Sequence, residues 1–211
     1  TINLLLAFGE FGRGKHRRFI FASTGGAIYG EPKKVPAAET TPPDPLSPYG
    51  LSKLLAEHAI RFYAREFDFD YVIFRYTNIY GPRQNPKGEA GVVAIFRLAL
   101  AEGKRPTIFG DGTKARDYLH VADVVRANVL GLRKGNGETM NLGTGRLVTD
   151  DEIFAAVARH VGFKQKARYA PYRKGEVYRI SLDARRAKRV LGWTPKIKFA
   201  DGIRLVARAQ V

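Results

Sequence analysis

Residues 18–26 read RFIFASTGG, and residues 47–53 read SPYGLSK. The first stretch is a short apolar run closing on small polar residues, the form of a buried strand ending in a loop. The second opens a helix that runs to about residue 67, with Ser47 a good N-cap and Pro48 tolerated in the first turn. Between them, residues 31–48 are rich in proline and cannot be helical.

The same alternation extends outward. A helix is predicted over 3–12 ahead of the first strand. Downstream come a strand at 71–75, the Gly81-Pro82 break, a helix over 90–102, a strand at 107–109 and the turn Gly110-Asp111-Gly112. A helix at 121–132, a strand at 139–142, a helix at 149–161 and a strand at 167–170 follow. Helices near 183–191 and 199–211 bracket Gly192-Trp193-Thr194-Pro195. Apolar runs alternating with helical patterns predict an α/β fold, a parallel sheet with helices on both faces.

Composition bounds the rest. A chain of 211 residues allows one large domain, or one and a fragment. Hydrophobic content of 45% supports a packed core and excludes a disordered chain. The absence of cysteine excludes disulfides and thiolate metal sites, and points to the reducing cytoplasm. His16, His58, His120 and His160 show no metal or triad spacing. The apolar runs at 4–8 and 91–96 are too short to span a bilayer, which argues against a membrane protein. The net charge of +16 reads as a solvated basic surface. The charges are spread along the chain and no nucleic-acid motif accompanies them, so a nucleic-acid partner is not expected. The chain opens on Thr1 and its one methionine is Met140, so a missing front segment is expected.

Tyr49-Gly-Leu-Ser-Lys53 is a Tyr-x-x-x-Lys pair. Chance alone supplies roughly one such pair in a chain of this composition. Tyr29 and Lys33 form a second, but Gly30 and Pro32 prevent a helix there. Tyr49 and Lys53 lie in a real helix, where residues four apart share a face. There the ammonium can favour the phenolate, making it usable as a proton acceptor. Thr24 closes the strand upstream, and its hydroxyl can donate to a substrate oxygen.

Strand end, hydroxyl, loop, then a helix with Tyr-x-x-x-Lys resembles the short-chain dehydrogenase/reductase family. The chain is similar to its extended branch, the NAD-dependent epimerases and dehydratases, in five motifs in family order. These are Phe74-Arg-Tyr-Thr-Asn-Ile-Tyr-Gly-Pro-Arg-Gln84, the segment from Phe109 to Asp123, Asn141-Leu-Gly-Thr-Gly145, Arg173-Lys-Gly-Glu176 and Leu191-Gly-Trp-Thr-Pro195.

The resemblance implies a partial doubly wound, Rossmann-type parallel sheet lacking its first strands, with a smaller α/β substrate-binding domain. Residues 1–80 and about 117–143 would be the remainder of the dinucleotide-binding domain, and about 81–116 and 144–211 the sugar-nucleotide domain. It implies catalytic roles for Thr24, Tyr49 and Lys53, with Tyr49, Lys53, Tyr76 and Thr77 beside the nicotinamide end of NAD. Asn78 would contact a substrate diphosphate clamped by Arg116 and Arg173. Val92 and Val93 would flank the nucleotide, Thr107 and Phe109 would meet uracil, and Glu176 would accept from the ribose hydroxyls. Each has a plainer reading: Asn78 as a turn cap, Phe109 as core, Arg116 as the partner of Asp117.

The implied reaction is epimerisation at C4 of a UDP-sugar, of the UDP-glucose/UDP-galactose type, through a 4-keto intermediate. A 4,6-dehydratase or decarboxylase is the alternative. Those relatives carry Asp-Glu or Ser-Glu directly after the threonine, where this chain has Gly25-Gly26. A non-catalytic nucleotide- or nucleic-acid-binding relative is a second alternative, although such proteins commonly lose the Tyr/Lys pair. The family's glycine-rich cofactor turn has no complete counterpart, since Gly12-Arg-Gly14 has Arg17 where the last glycine should stand. In relatives the bulk of the residue four after the acid, here Ile180, restricts the sugar pocket, which predicts that N-acetylated sugars fit. The resemblance also implies a homodimer through helices 3–12 and 47–67.

Overall fold

The structure, a computed structural model, describes residues 1–11, 16–87, 91–173 and 175–208. Its elements begin with α1 (Ile2–Glu10), β1 (Arg18–Thr24), α2 (Gly25–Ile28), α3 (Pro48–Phe67), β2 (Asp70–Tyr76) and β3 (Asn78–Tyr80). There follow α4 (Val92–Ala101), β4 (Thr107–Phe109), β5 (Ala115–Arg116), β6 (Tyr118–His120), α5 (Val121–Gly131) and β7 (Glu138–Leu142). The chain continues through β8 (Val148–Thr149), α6 (Asp150–Val161), β9 (Arg168–Ala170), β10 (Arg179–Ile180), α7 (Arg185–Leu191) and α8 (Phe199–Arg208).

Helix α3 begins where its capping residues dictate. The Ser47 hydroxyl accepts from Gly50 N at 3.1 Å, Pro48 occupies the first turn, and Asp68 in the left-handed region ends the helix. Helix α6 has a full capping box, Thr149 with Glu152, and stops at Gly162.

Strands β1, β2 and β7 form a parallel sheet in that order. Ile73 faces α1 and α3, packing with Leu5, Ile60, Ala64 and Phe69. Its neighbours Val72 and Phe74 face the other way, toward α5, α7 and Trp193. A sheet buried on both sides explains why β2, after Asp70 at its start, is apolar apart from Arg75. Among the described residues, no strand pairs with the outer edge of β1.

A second core gathers Val93, Phe96 and Leu100 of α4 with Ile153 and Val157 of α6 and Ile203 and Val206 of α8. The sequence division groups α7 and Trp193 with the second region, yet they pack against the first sheet. Strands β3, β5, β6, β8 and β10 have only two or three residues each. Residues 12–15, which hold the partial glycine pattern and the predicted end of the first helix at residue 12, lie outside the described residues, as do Ala90 and residues 209–211. Among the described residues no helix is long and apolar enough to cross a membrane.

Candidate active site

Residues from well-separated motifs converge on one cavity of about 490 Å³. Asn78, Val92, Val93, Thr107, Phe109, Arg116, Arg173 and Glu176 all line it. Its size and mixed polarity suit a small polar molecule with one flat apolar part. Arg116 enters from β5, partly buried, and among the described residues its guanidinium makes one hydrogen bond, a 3.3 Å contact to Ala115 O. Burial lowers its pKa, opposed by Tyr118, Asp150 and Glu176. Asp117, its sequence neighbour, is not its partner. That carboxylate is buried and accepts from Thr144, Gly145 and Leu182 backbone N–H groups. Among the described residues Arg116 therefore has most of its fork free for an anion. The Arg173 guanidinium carbon lies 3.6 Å from the centre of the Phe109 ring, so cation and flat ring share one wall. Glu176 is held by Lys114, whose ammonium also lies 3.4 Å from Asp150.

Thr24, Tyr49 and Lys53 do not line this cavity, although Gly26 and Ser47, each two residues from Thr24 or Tyr49, do. A Cβ on Gly26, which does line it, would be 3.9 Å from Thr24 Oγ1 and 4.0 Å from Asn78 Oδ1. Lys53 Nζ donates to Ala22 O at 2.9 Å and lies 5.8 Å from the centre of the Tyr49 ring. Tyr49 is 55% exposed at the C-terminal end of the parallel strands, where open α/β sheets place their ligands. The other Tyr-x-x-x-Lys tyrosine, Tyr29, is buried after α2, and its hydroxyl donates to Asn141.

Three expectations meet different surroundings. Tyr76 points into the core, its hydroxyl donating to Asn128 Oδ1 at 3.0 Å, because odd and even residues of β2 face opposite sides. The Thr77 hydroxyl is likewise buried and donates to Asp117 O. Only their main chains remain for a cofactor. Ile180 is the third. It is fully buried among Tyr29, Ala37, Val177 and Leu182 and is not among the residues lining the cavity.

Glu57, Arg75, Lys114 and Asp150 were missed by sequence reasoning. A signal existed for two of them. Arg75 is a lone charge in an apolar strand and needs a partner, and Glu57 follows Lys53 by one helical turn.

The family described as GDP-mannose 4,6 dehydratase matches residues 1–206. The UDP-glucose 4-epimerase of Mycolicibacterium smegmatis is 43% identical over 188 residues, 89% of this chain and 60% of that protein. The crystal structure of the Thermotoga maritima UDP-glucose 4-epimerase with UDP-glucose superposes with a TM-score of 0.92 at 47% identity, covering 97% of this chain and 65% of that one. The Thermus thermophilus UDP-glucose 4-epimerase in complex with NAD gives 0.91 at 42% identity, covering 98% and 67%. The chain thus spans about two thirds of its relatives' length or slightly less. With its sheet order, its Tyr49/Lys53 helix and these likenesses together, the chain belongs to the extended short-chain dehydrogenase/reductases, in the NAD-dependent epimerase/dehydratase family.

Proposed function

We propose that the protein is an NAD-dependent 4-epimerase of UDP-sugars of the UDP-glucose/UDP-galactose type. The observation that carries this reading is the convergence of Arg116, Arg173, Phe109 and Glu176 on one cavity that ends beside Thr24 and the Tyr49 helix. Arg116 and Arg173 hold the diphosphate by their guanidinium forks, with Asn78 contributing its amide. Phe109 packs on uracil beside Thr107, Val92 and Val93 border the nucleotide, and Glu176 accepts from the ribose diol. Tyr49 takes the proton of the C4 hydroxyl and later returns one, with the Thr24 hydroxyl bridging sugar oxygen and phenol.

The described residues fit the nicotinamide end of the cofactor. Tyr49 and Lys53 present a hydroxyl and an ammonium to its ribose, and the backbone of Tyr76 and Thr77 lies beyond. NAD, when bound, supplies the hydride acceptor and donor for sugar C4.

Dehydration is the competing reaction within the family, and the Gly25-Gly26 pair disfavours it. A side chain at Gly25 would strike Leu182, with its Cβ 2.5 Å from Leu182 Cδ1. Gly26 has room but no group to move a proton. Incubating the full-length protein with UDP-galactose should yield UDP-glucose without loss of water. A 4-keto-6-deoxy product would instead identify a dehydratase.

Two further results are expected. Because Lys114 pins the Glu176 carboxylate, UDP should bind about tenfold more tightly than 2′-deoxy-UDP, and Glu176→Ala should remove the difference. Calorimetry with both nucleotides reads this directly, and equal affinities in the wild type would take Glu176 away from the ribose. The other result concerns assembly. Helices α1 and α3 expose Ile2, Leu4, Leu51, Leu55 and Phe62, a wide apolar surface supporting a homodimer. Light scattering should show a dimer that Leu55→Lys converts to monomer. A wild-type monomer at micromolar concentration would contradict the assignment.

A further inference from the structure

A row of polar residues crosses the sheet near the C-terminal ends of its strands. Ser23, Arg75 and Asn141 are in register on β1, β2 and β7, so their side chains share a face. Glu57 of α3 comes down onto this row, fully buried. Its Oε1 accepts from Ser23 Oγ at 2.6 Å and Arg75 Nε at 2.9 Å. Its Oε2 accepts from Arg75 Nη2 at 2.7 Å and Arg61 Nη2 at 3.0 Å. Arg75 Nη1 donates to the Tyr29 hydroxyl, which donates to Asn141 Oδ1 at 2.8 Å. A bidentate contact therefore ties α3 to two strands, with every arm satisfied.

Stability is a poor reason for such a pair. Apolar residues of similar volume commonly serve as well or better in a core. Geometry is a better one. The other inward residues of this helix, Ala56, Ile60 and Ala64, make apolar contacts that have no direction and allow a helix to slide. A guanidinium–carboxylate fork has one preferred geometry. It acts here at a telling place, since Glu57 is one turn beyond Lys53 and Ser23 adjoins Thr24. Burial pushes the Glu57 carboxyl up, but Arg75, Ser23 and Arg61 outweigh it and hold it below its usual range. The pair thus stays charged at neutral pH.

We propose that Glu57 and Arg75 are positioning residues, whose bidentate contact sets α3 against the ends of β1 and β2 and so places Tyr49 and Lys53 for proton transfer. Neither touches substrate. The proposal rests on the role of Tyr49 given above.

The test uses full-length protein. Glu57→Leu alone leaves a buried cation without its partner and is expected to unfold, so Glu57→Leu/Arg75→Met is the informative variant. It should fold with near-normal melting temperature and UDP affinity, while kcat falls about tenfold or more at unchanged KM. Wild-type kcat in the folded double variant would overturn the proposal. Should that variant not fold, Glu57→Asp keeps the charge and shortens the reach by one methylene. A folded Glu57→Asp protein with undiminished kcat would be equally fatal. A crystal structure of whichever variant folds reads the same point without turnover, because α3 should be displaced against β1, and an unmoved α3 refutes the idea. Wild-type protein lacking epimerase turnover would sink the functional reading alone, leaving the crystal structure to decide on Glu57 and Arg75.

Discussion

Tyr49→Phe in the full-length protein is expected to lower kcat by about three decades while UDP-sugar binding survives. The ring remains and only the hydroxyl goes, so the variant isolates proton transfer. Positioned acid–base groups typically contribute about 10²–10⁴-fold, which sets the scale. Tyr49 is more than half exposed and its hydroxyl has no partner among the described residues, so its removal leaves no buried group unpaired and little cost in stability. The proposed nucleotide contacts, from β5, β4, Arg173 and Glu176, are remote from α3 in sequence and should hold their affinity. The check is steady-state kinetics beside UDP calorimetry. Near-normal turnover would remove Tyr49 from the mechanism, and a parallel loss of UDP affinity would mean the exchange disturbed the cavity.

Arg116→Ala should have the next largest effect, weakening UDP binding by about a hundredfold. This guanidinium is partly buried, spends one long hydrogen bond on the described residues, and faces the cavity beside Asp150 and Glu176. Hydrogen bonds to charged groups are worth about 1.5–3 kcal/mol each, so one or two lost to a diphosphate reach two decades. Arg116→Lys should recover only part of this, because an ammonium cannot match two phosphate oxygens at once. Because the free protein already bears the cost of burying this cation, the Ala variant should melt no lower than wild type. Calorimetry with UDP and with uridine separates the contributions. A loss that appears equally for uridine would place Arg116 on the base or ribose and not on the diphosphate.

The two arginines expected at the diphosphate illustrate how far local pattern reaches. Arg116 and Arg173 are 57 positions apart by their numbers, and nothing in their own surroundings says that they line one cavity. Motif order pointed to it, and the pairing of β5 with β10 is what brings the two segments together. Ile180 shows the opposite. Counting four residues from the acid predicted a cavity position, but β10 turns Ile180 inward, where it packs on Tyr29 and Leu182. A count along a strand decides a face only when the strand's partner is known.

What the sequence by itself determined are the features set by neighbours in the chain. The start of α3 follows from Ser47 and Pro48, the break before it from proline, the shared face of Tyr49 and Lys53 from helical spacing, and the sheet's burial from the apolar run of β2. The five ordered motifs added the family. Tertiary structure alone decided the rest. Strands of two or three residues, such as β3, β5 and β10, carry no periodicity to read and exist only because a partner strand satisfies their backbone groups. Tyr76 faces Asn128, not the cavity, because the register of β2 leaves that face to α5. Arg75 announced from sequence that it needed an acid, but not which one. Glu57 is that acid because the parallel register sets Ser23, Arg75 and Asn141 in one row beneath α3. Registry between strands is a long-range property, and no short window of sequence contains it.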